Sequence, residues 1–146
     1  MSQRATQEAV AGAAPLDQAR AAAGGRGAGS SDPLVAELRR AGLLQALVLH
    51  FLGGGPSYGN QLMERVGAAT GGLLAVNPNT MYPLLRQLES AGWIAGEWEH
   101  PERRSRRFYR LTPDGEAERD RLAAELGPRL DAVARGVDLV RRELGV

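Results

Sequence analysis

Polar side chains that can hydrogen-bond to nucleic acid recur on one face of a segment near the middle of the chain. Between residues 77 and 92, Met81, Leu85 and Leu88 recur at helical spacing and predict a buried stripe. The opposite face is then polar, and its members are Asn79, Thr80, Tyr82, Pro83, Arg86 and Gln87. Amide, hydroxyl and guanidinium groups bind base edges and phosphates. A helix that is merely solvated more often carries opposite charges four residues apart, so this pattern favours a helix that contacts the major groove.

An arginine-rich segment between two short β-rich runs, residues 93–98 and 106–111, is the second group of candidates. Its members are Arg103, Arg104, Arg106 and Arg107, with Arg110 nearby. The arginine fork matches phosphate geometry and stays charged, and each neutralised phosphate makes binding more salt-dependent. A solvated basic stretch is the alternative. Because this segment directly follows the predicted recognition helix, the interpretation as a hairpin that contacts DNA is favoured over a solvated stretch.

Catalytic and metal-binding chemistry finds little support in the residue types. The chain has no cysteine, and its two histidines, His50 and His100, are far apart in sequence. Glu97 and Glu99 lie close together, but without a neighbouring nucleophile we expect them to be solvated. We therefore expect no enzyme activity, no metal and no cofactor.

Charge is distributed unevenly along the 146 residues, although the net charge is only +1. Residues 33–112 carry nine arginines against six acids, whereas residues 113–146 carry six against eight. This asymmetry is typical of a nucleic-acid-binding part joined to a separate interaction element. The most apolar run, residues 43–52, is too short to span a bilayer, and no signal-peptide pattern precedes it. We expect a cytoplasmic protein without membrane contact.

The elements that would position these residues follow from helix caps and periodicity. Residues 1–31 are rich in alanine and glycine and predict a disordered tail. Asp32-Pro33 begins a first helix that continues to Phe51, and Ser57 caps a second that ends near Thr70. Asn77-Pro78 begins the third, and Gly92 ends it. With the hairpin, this order predicts a mainly α protein with a β-hairpin (α+β), namely a winged helix-turn-helix domain over residues 32–112.

A last helix begins at Thr112-Pro113 and makes residues 113–146 a predicted dimerisation element. Its apolar stripe consists of Leu122, Leu126, Leu130, Val133, Val137, Val140 and Leu144. The stripe keeps its phase across Pro128, which favours a kinked but continuous helix over two separate helices. An exposed stripe of this length needs a partner.

Three blocks of sequence carry a resemblance to a known family. They are Tyr58-Gly59, PNTMYPLLRQLESAGWI over residues 78–94, and RRFYRLTPDG over residues 106–115. With these blocks the chain resembles the PadR family of bacterial transcriptional regulators over about residues 34–145. The resemblance implies a homodimer that binds a palindromic operator in double-stranded DNA and usually represses a neighbouring gene or its own. It also adds Tyr58 to the DNA-binding candidates.

The single long last helix resembles that of the short-form subfamily, in which this helix packs on the first helix of the partner. The implied dimerisation residues are Leu38, Leu122, Leu126, Leu130, Val133, Val137 and Val140. Family wings often carry glycine where this chain has Arg103-Arg104-Ser105, which predicts a stiffer and more basic wing. No aromatic residue follows Tyr109, so a site that sandwiches an aromatic effector finds no support. A small-molecule effector is left open and unidentified.

The main alternative function is a winged-helix protein-interaction module without DNA binding. Excess acidic residues on the exposed face of the third helix would favour it, and they are absent. We therefore expect a sequence-specific DNA-binding transcriptional regulator, most simply a repressor.

Overall fold

The computed structural model describes residues 35–100, 102 and 106–146. The predicted disordered tail, the Asp32-Pro33 cap, Arg103 and Arg104 lie outside the described residues. The elements are α1 (Ala36–Arg40), α2 (Leu43–Leu52), β1 (Ser57–Tyr58), α3 (Gly59–Ala69), α4 (Pro78–Ser90), β2 (Ile94–Trp98), β3 (Arg107–Leu111) and α5 (Pro113–Leu144). The mostly helical winged-helix fold with a long last helix is thus confirmed.

The prediction of one continuous first helix was wrong. The helix is interrupted between α1 and α2 at Gly42, whose φ of 101° lies in the left-handed region. A side chain here would also be crowded by α5, because a Cβ on Gly42 would lie 3.0 Å from Leu122 Cδ2. The close approach of α5 therefore accompanies the break, and periodicity alone does not reveal it.

A third strand, β1, was missed, and Ser57 is not the cap of the second helix. Ser57 and Tyr58 pair antiparallel with Tyr109 and Phe108, which gives the strand order β1-β3-β2. Tyr58 is the N-cap of α3, and its backbone N–H donates to Gln61 Oε1 at 2.9 Å. Ser57 is buried and donates through its hydroxyl to the same oxygen at 3.1 Å.

The hydrophobic core lies where α2, α3 and α4 meet the sheet and the beginning of α5. Its buried members are Leu44, Val48, Leu49, Leu52, Leu62, Val66, Leu74, Met81, Leu84, Leu85, Leu88, Ile94, Tyr109 and Leu122. Four of these come from α4, so the core fixes which face of that helix remains outside.

The predicted beginnings of α4 and α5 are confirmed. The Asn77 side chain accepts from the backbone N–H of Thr80 at 3.2 Å, and the Thr112 hydroxyl accepts from that of Gly115 at 3.0 Å. Helix α5 continues through Pro128 as one helix, and every residue from Pro128 to Val146 is exposed. The last part of α5 therefore extends beyond the packed core of its own chain.

Candidate nucleic-acid interface

The exposed face of α4 is the one that the sequence predicted. Met81, Leu84, Leu85 and Leu88 are buried beneath it. The outward positions include Asn79, Thr80, Tyr82, Pro83, Arg86 and Gln87, of which Thr80 is half-buried and the others are exposed. Among the described residues, no carboxylate forms an ion pair with Arg86. Several donors and acceptors thus lie together on a rigid helix, as base and phosphate contacts require.

Tyr82 also connects α4 to the beginning of α3. Its ring lies so close to Gly59 that a Cβ there would be 2.6 Å from Tyr82 Cε1. Gly59 therefore allows the two helices of the helix-turn-helix to approach at this point. Tyr82 is 37% exposed, so part of its ring remains available to a ligand.

Tyr58 faces the hairpin instead. Its hydroxyl donates to Glu99 Oε2 at 3.1 Å, and the Arg106 guanidinium carbon lies 3.9 Å from its ring centroid. Arg106 donates from Nε to Glu99 Oε1 at 3.1 Å and from Nη2 to Oε2 at 3.3 Å. Tyr58, Glu99 and Arg106 thus form one network, so the expectation that Glu99 is only solvated was wrong.

This network changes the electrostatics at the base of the hairpin. Hydrogen bonds from Arg106 and, to a smaller degree, from Tyr58 lower the pKa of Glu99 below its ordinary value. Glu99 is consequently ionised near neutral pH. Its carboxylate holds Tyr58 and Arg106 side by side, and both are candidate hydrogen-bond donors to a DNA phosphate.

Arg107 lies on the other side of the hairpin and contacts α4. It forms an ion pair with Glu89, a residue in the last turn of that helix, and its side chain is 28% exposed. Its guanidinium carbon also lies 5.3 Å from the ring centroid of Trp98. A direct contact between Arg107 and DNA stays a prediction, whereas its contact with α4 is part of the fold.

The predicted dimerisation residues fall into two groups. Leu38, Leu122 and Leu126 are buried within their own chain. The exposed group comprises Leu130, Val133, Val137 and Val140, and Leu144 continues it. Leu122 is a member of the hydrophobic core and attaches α5 to it. The second group forms an apolar stripe without cover from the described residues.

Sequence reasoning did not assign Glu89, Gly96 or Glu99 to this surface. An acid at the end of a recognition helix and a glycine inside a strand are weak local signals. Their significance depends on contacts between residues far apart in sequence, such as Glu89 with Arg107. The only signal for Gly96 was a glycine within the strand pattern, which often marks a close approach of another group to the backbone; here the side chain of Arg107 lies next to Gly96.

In the described part of the chain, none of the helices is long and apolar enough to cross a membrane. Within the same residues, no group of three potential metal ligands comes together.

Comparisons with known proteins identify the family of this chain. The model of the transcriptional regulator PadR-like family matches residues 48–121. A PadR family transcriptional regulator from Eggerthella lenta is 36% identical with a TM-score of 0.57, covering 71% of this chain and 88% of its own. A transcriptional regulator from Clostridium thermocellum, 23% identical with a TM-score of 0.59, covers 68% of this chain and 97% of its own and supports the fold alone.

A curated relative matches a shorter part of the chain. The transcriptional regulator Rv3488 of Mycobacterium tuberculosis is 45% identical over 42 residues, which are 29% of this chain and 39% of that protein. The chain thus matches less than half the length of this relative, whereas the family model covers both helices of the helix-turn-helix, the hairpin and the beginning of α5. This chain belongs to the PadR-like family of transcriptional regulators, whose members bind DNA.

Proposed function

We propose that this protein represses transcription by binding a palindromic operator as a homodimer. The exposed polar face of α4 carries the proposal, because a buried apolar stripe holds it in place beside a basic hairpin. In this arrangement α4 enters the major groove and the hairpin follows the phosphate backbone. Repression results when the bound dimer excludes the transcription machinery from its promoter, and chromosomal DNA as the target implies action in the cytoplasm.

Individual residues take different parts in this proposal. Asn79, Thr80 and Arg86 are suited to base edges because amide, hydroxyl and guanidinium groups distinguish base pairs in the major groove. Arg103 and Arg104, which lie outside the described residues, supply phosphate contacts that do not depend on sequence. Tyr58 offers a hydroxyl from the beginning of α3.

The homodimer is supported by the exposed end of α5. Leu130, Val133, Val137 and Val140 present apolar side chains to solvent on one stripe, and a second copy is the simplest cover for such a stripe. Two copies would place two α4 helices on half-sites about one DNA turn apart. We assign the dimer contact to these four residues, because Leu38, Leu122 and Leu126 are already buried within each protomer.

A mobility-shift assay with DNA from upstream of the protein's own gene tests the proposal. Retardation of this duplex at protein concentrations that leave an unrelated duplex free would support operator binding. No retardation of either duplex would favour the protein-interaction module, and equal retardation of both would contradict sequence-specific binding. Deletion of the gene should raise transcription from the bound promoter, and a fall would overturn the repressor role.

Substitutions separate base contacts from phosphate contacts in the same assay. Asn79→Ala and Thr80→Ala should each alter the preference among operator variants, by about 1–3 kcal/mol at the base pair concerned. Arg103→Ala combined with Arg104→Ala should weaken binding to all duplexes and reduce its salt dependence. An unchanged operator preference in Asn79→Ala and Thr80→Ala would contradict their role in base contacts. An unchanged salt dependence in the double arginine variant would contradict its role in phosphate contacts.

A further inference from the structure

One carboxylate at the end of α4 is bonded to both strands of the hairpin. Glu89 Oε2 accepts the backbone N–H of Gly96 on β2 at 3.3 Å and forms an ion pair with Arg107 on β3. The side chains of Glu89 and Arg107 are 31% and 28% exposed. Because both are partly withdrawn from water, this pair is less screened than an ordinary surface ion pair.

The side chain of Arg107 reaches Glu89 by passing over Gly96. A Cβ on Gly96 would lie 2.7 Å from Arg107 Nε and 2.8 Å from Nη2, so glycine leaves the space that the guanidinium occupies. Tyr109 and Trp98 flank the same group, with ring centroids 5.9 Å and 5.3 Å from its central carbon. Arg107 is thus held by a carboxylate, two rings and a close backbone.

We propose that Glu89, Gly96 and Arg107 form a strut that sets the angle between α4 and the hairpin and thereby determines operator specificity. Glu89 and Arg107 are then positioning residues, and this role of Arg107 replaces the phosphate contact that the sequence predicted for it. The inference rests on the proposed function, because the angle is important only if α4 and the hairpin bind one duplex together. A recognition site that is loose by about 1 Å loses much of its effect.

Arginine-to-glutamine substitutions on β3 distinguish the strut from a phosphate contact. Arg107→Gln should lower operator affinity about tenfold, as expected for loss of one well-placed interaction, and leave affinity for unrelated DNA and the salt slope unchanged. Arg110→Gln is the matched control, since Arg110 lies on the same strand, is exposed and loses the same charge. If Arg107→Gln lowered the salt slope by about 0.9, the value for one phosphate, the inference would be wrong.

Gly96→Ala tests the strut without changing any charge. The new methyl group meets the end of the Arg107 side chain, which can move aside, so the chain should fold. Operator affinity should fall as it does in Arg107→Gln. The double variant Gly96→Ala/Glu89→Gln should bind the operator no more weakly than either of its single variants, because the residues act as one unit. Unchanged operator affinity in Gly96→Ala, or additive losses in the double variant, would overturn the strut.

Hydrogen exchange of the Gly96 amide tests the strut independently of DNA. Glu89→Ala removes the acceptor and should accelerate exchange at Gly96, whereas Glu89→Gln retains an acceptor oxygen and should accelerate it less. Unchanged exchange in Glu89→Ala would refute the strut even if the protein binds its operator. Conversely, faster exchange in a protein that retards no duplex would support the strut's contacts and reject the proposed function.

Discussion

Among the described glycines, Gly115 is the one at which an added methyl group should cost most. It lies in the first turn of α5 and is buried against the loop that follows α4. A Cβ there would be 1.9 Å from the carbonyl oxygen of Trp93 and 2.8 Å from Leu111 Cδ1. Ordinary contact begins near 3.4 Å, so Gly115→Ala requires α5 and this carbonyl to separate by about 1.5 Å.

That separation would disturb the hydrogen bonds that fix the beginning of α5. Trp93 O accepts the backbone N–H of Thr112 at 3.1 Å, and the Thr112 hydroxyl donates to Gly92 O at 2.6 Å. Overpacking costs about 1–3 kcal/mol, and each lost hydrogen bond adds about 1 kcal/mol. Better helix propensity of alanine offsets about 1 kcal/mol. We therefore expect Gly115→Ala to lower the free energy of unfolding by about 3 kcal/mol.

Urea denaturation followed by circular dichroism would measure this change, at one fixed protomer concentration because a dimer gains stability with concentration. Gly67→Ala is the matched control, since Gly67 lies within α3 and a Cβ there meets nothing within 4 Å. The control should be stabilised by up to about 1 kcal/mol. If Gly115→Ala were as stable as the parent protein, the packing of α5 against Trp93 O described above would be wrong.

Three further predictions concern the dimer, the helix cap and the hairpin base. Val137→Glu should give a monomer in light scattering. Leu139→Glu should remain a dimer, because Leu139 lies off the stripe, although its exposure of 56% is similar to the 53% of Val137. If both variants were dimers, the stripe would be rejected as the interface. Asn77→Ala should lower the free energy of unfolding by about 1 kcal/mol through loss of the α4 cap, and equal denaturation midpoints would argue against that cap. The Glu99 carboxyl should titrate in NMR below its ordinary pKa because of Arg106. Since its pKa is lowered in the folded state, the stabilisation is present above the ordinary pKa and is lost as pH falls through the lowered one; a midpoint at or above the ordinary value would contradict the network.

Much of α4 could be predicted from the sequence because its signals are local. Asn77 is an N-cap, Gly92 takes a left-handed φ of 82°, and Met81, Leu85 and Leu88 recur at helical spacing. Each signal depends on residues within a few positions of one another. For the same reason the beginning of α5 at Thr112-Pro113 and its continuity through Pro128 were predicted correctly.

Features that depend on distant neighbours were missed or misassigned. Gly42 breaks the first helix beside Leu122, and Ser57 joins a strand because Tyr109 lies opposite it. Glu99 appeared to be a solvated acid until the fold brought it to Tyr58 and Arg106. Local sequence propensities cannot predict these contacts, because the contacts depend on how distant parts of the chain pack together.

The sequence by itself thus determined the order of α3, α4, the hairpin and α5, the face of α4 that remains exposed and the family that the chain resembles. Only the tertiary structure decided which arginines of the hairpin are engaged with the protein's own carboxylates, Arg107 with Glu89 and Arg106 with Glu99. It also divided the apolar stripe of α5 into a buried part and an exposed part. The physical reason is that periodicity depends on neighbours along the chain, whereas burial and ion pairing depend on neighbours in space.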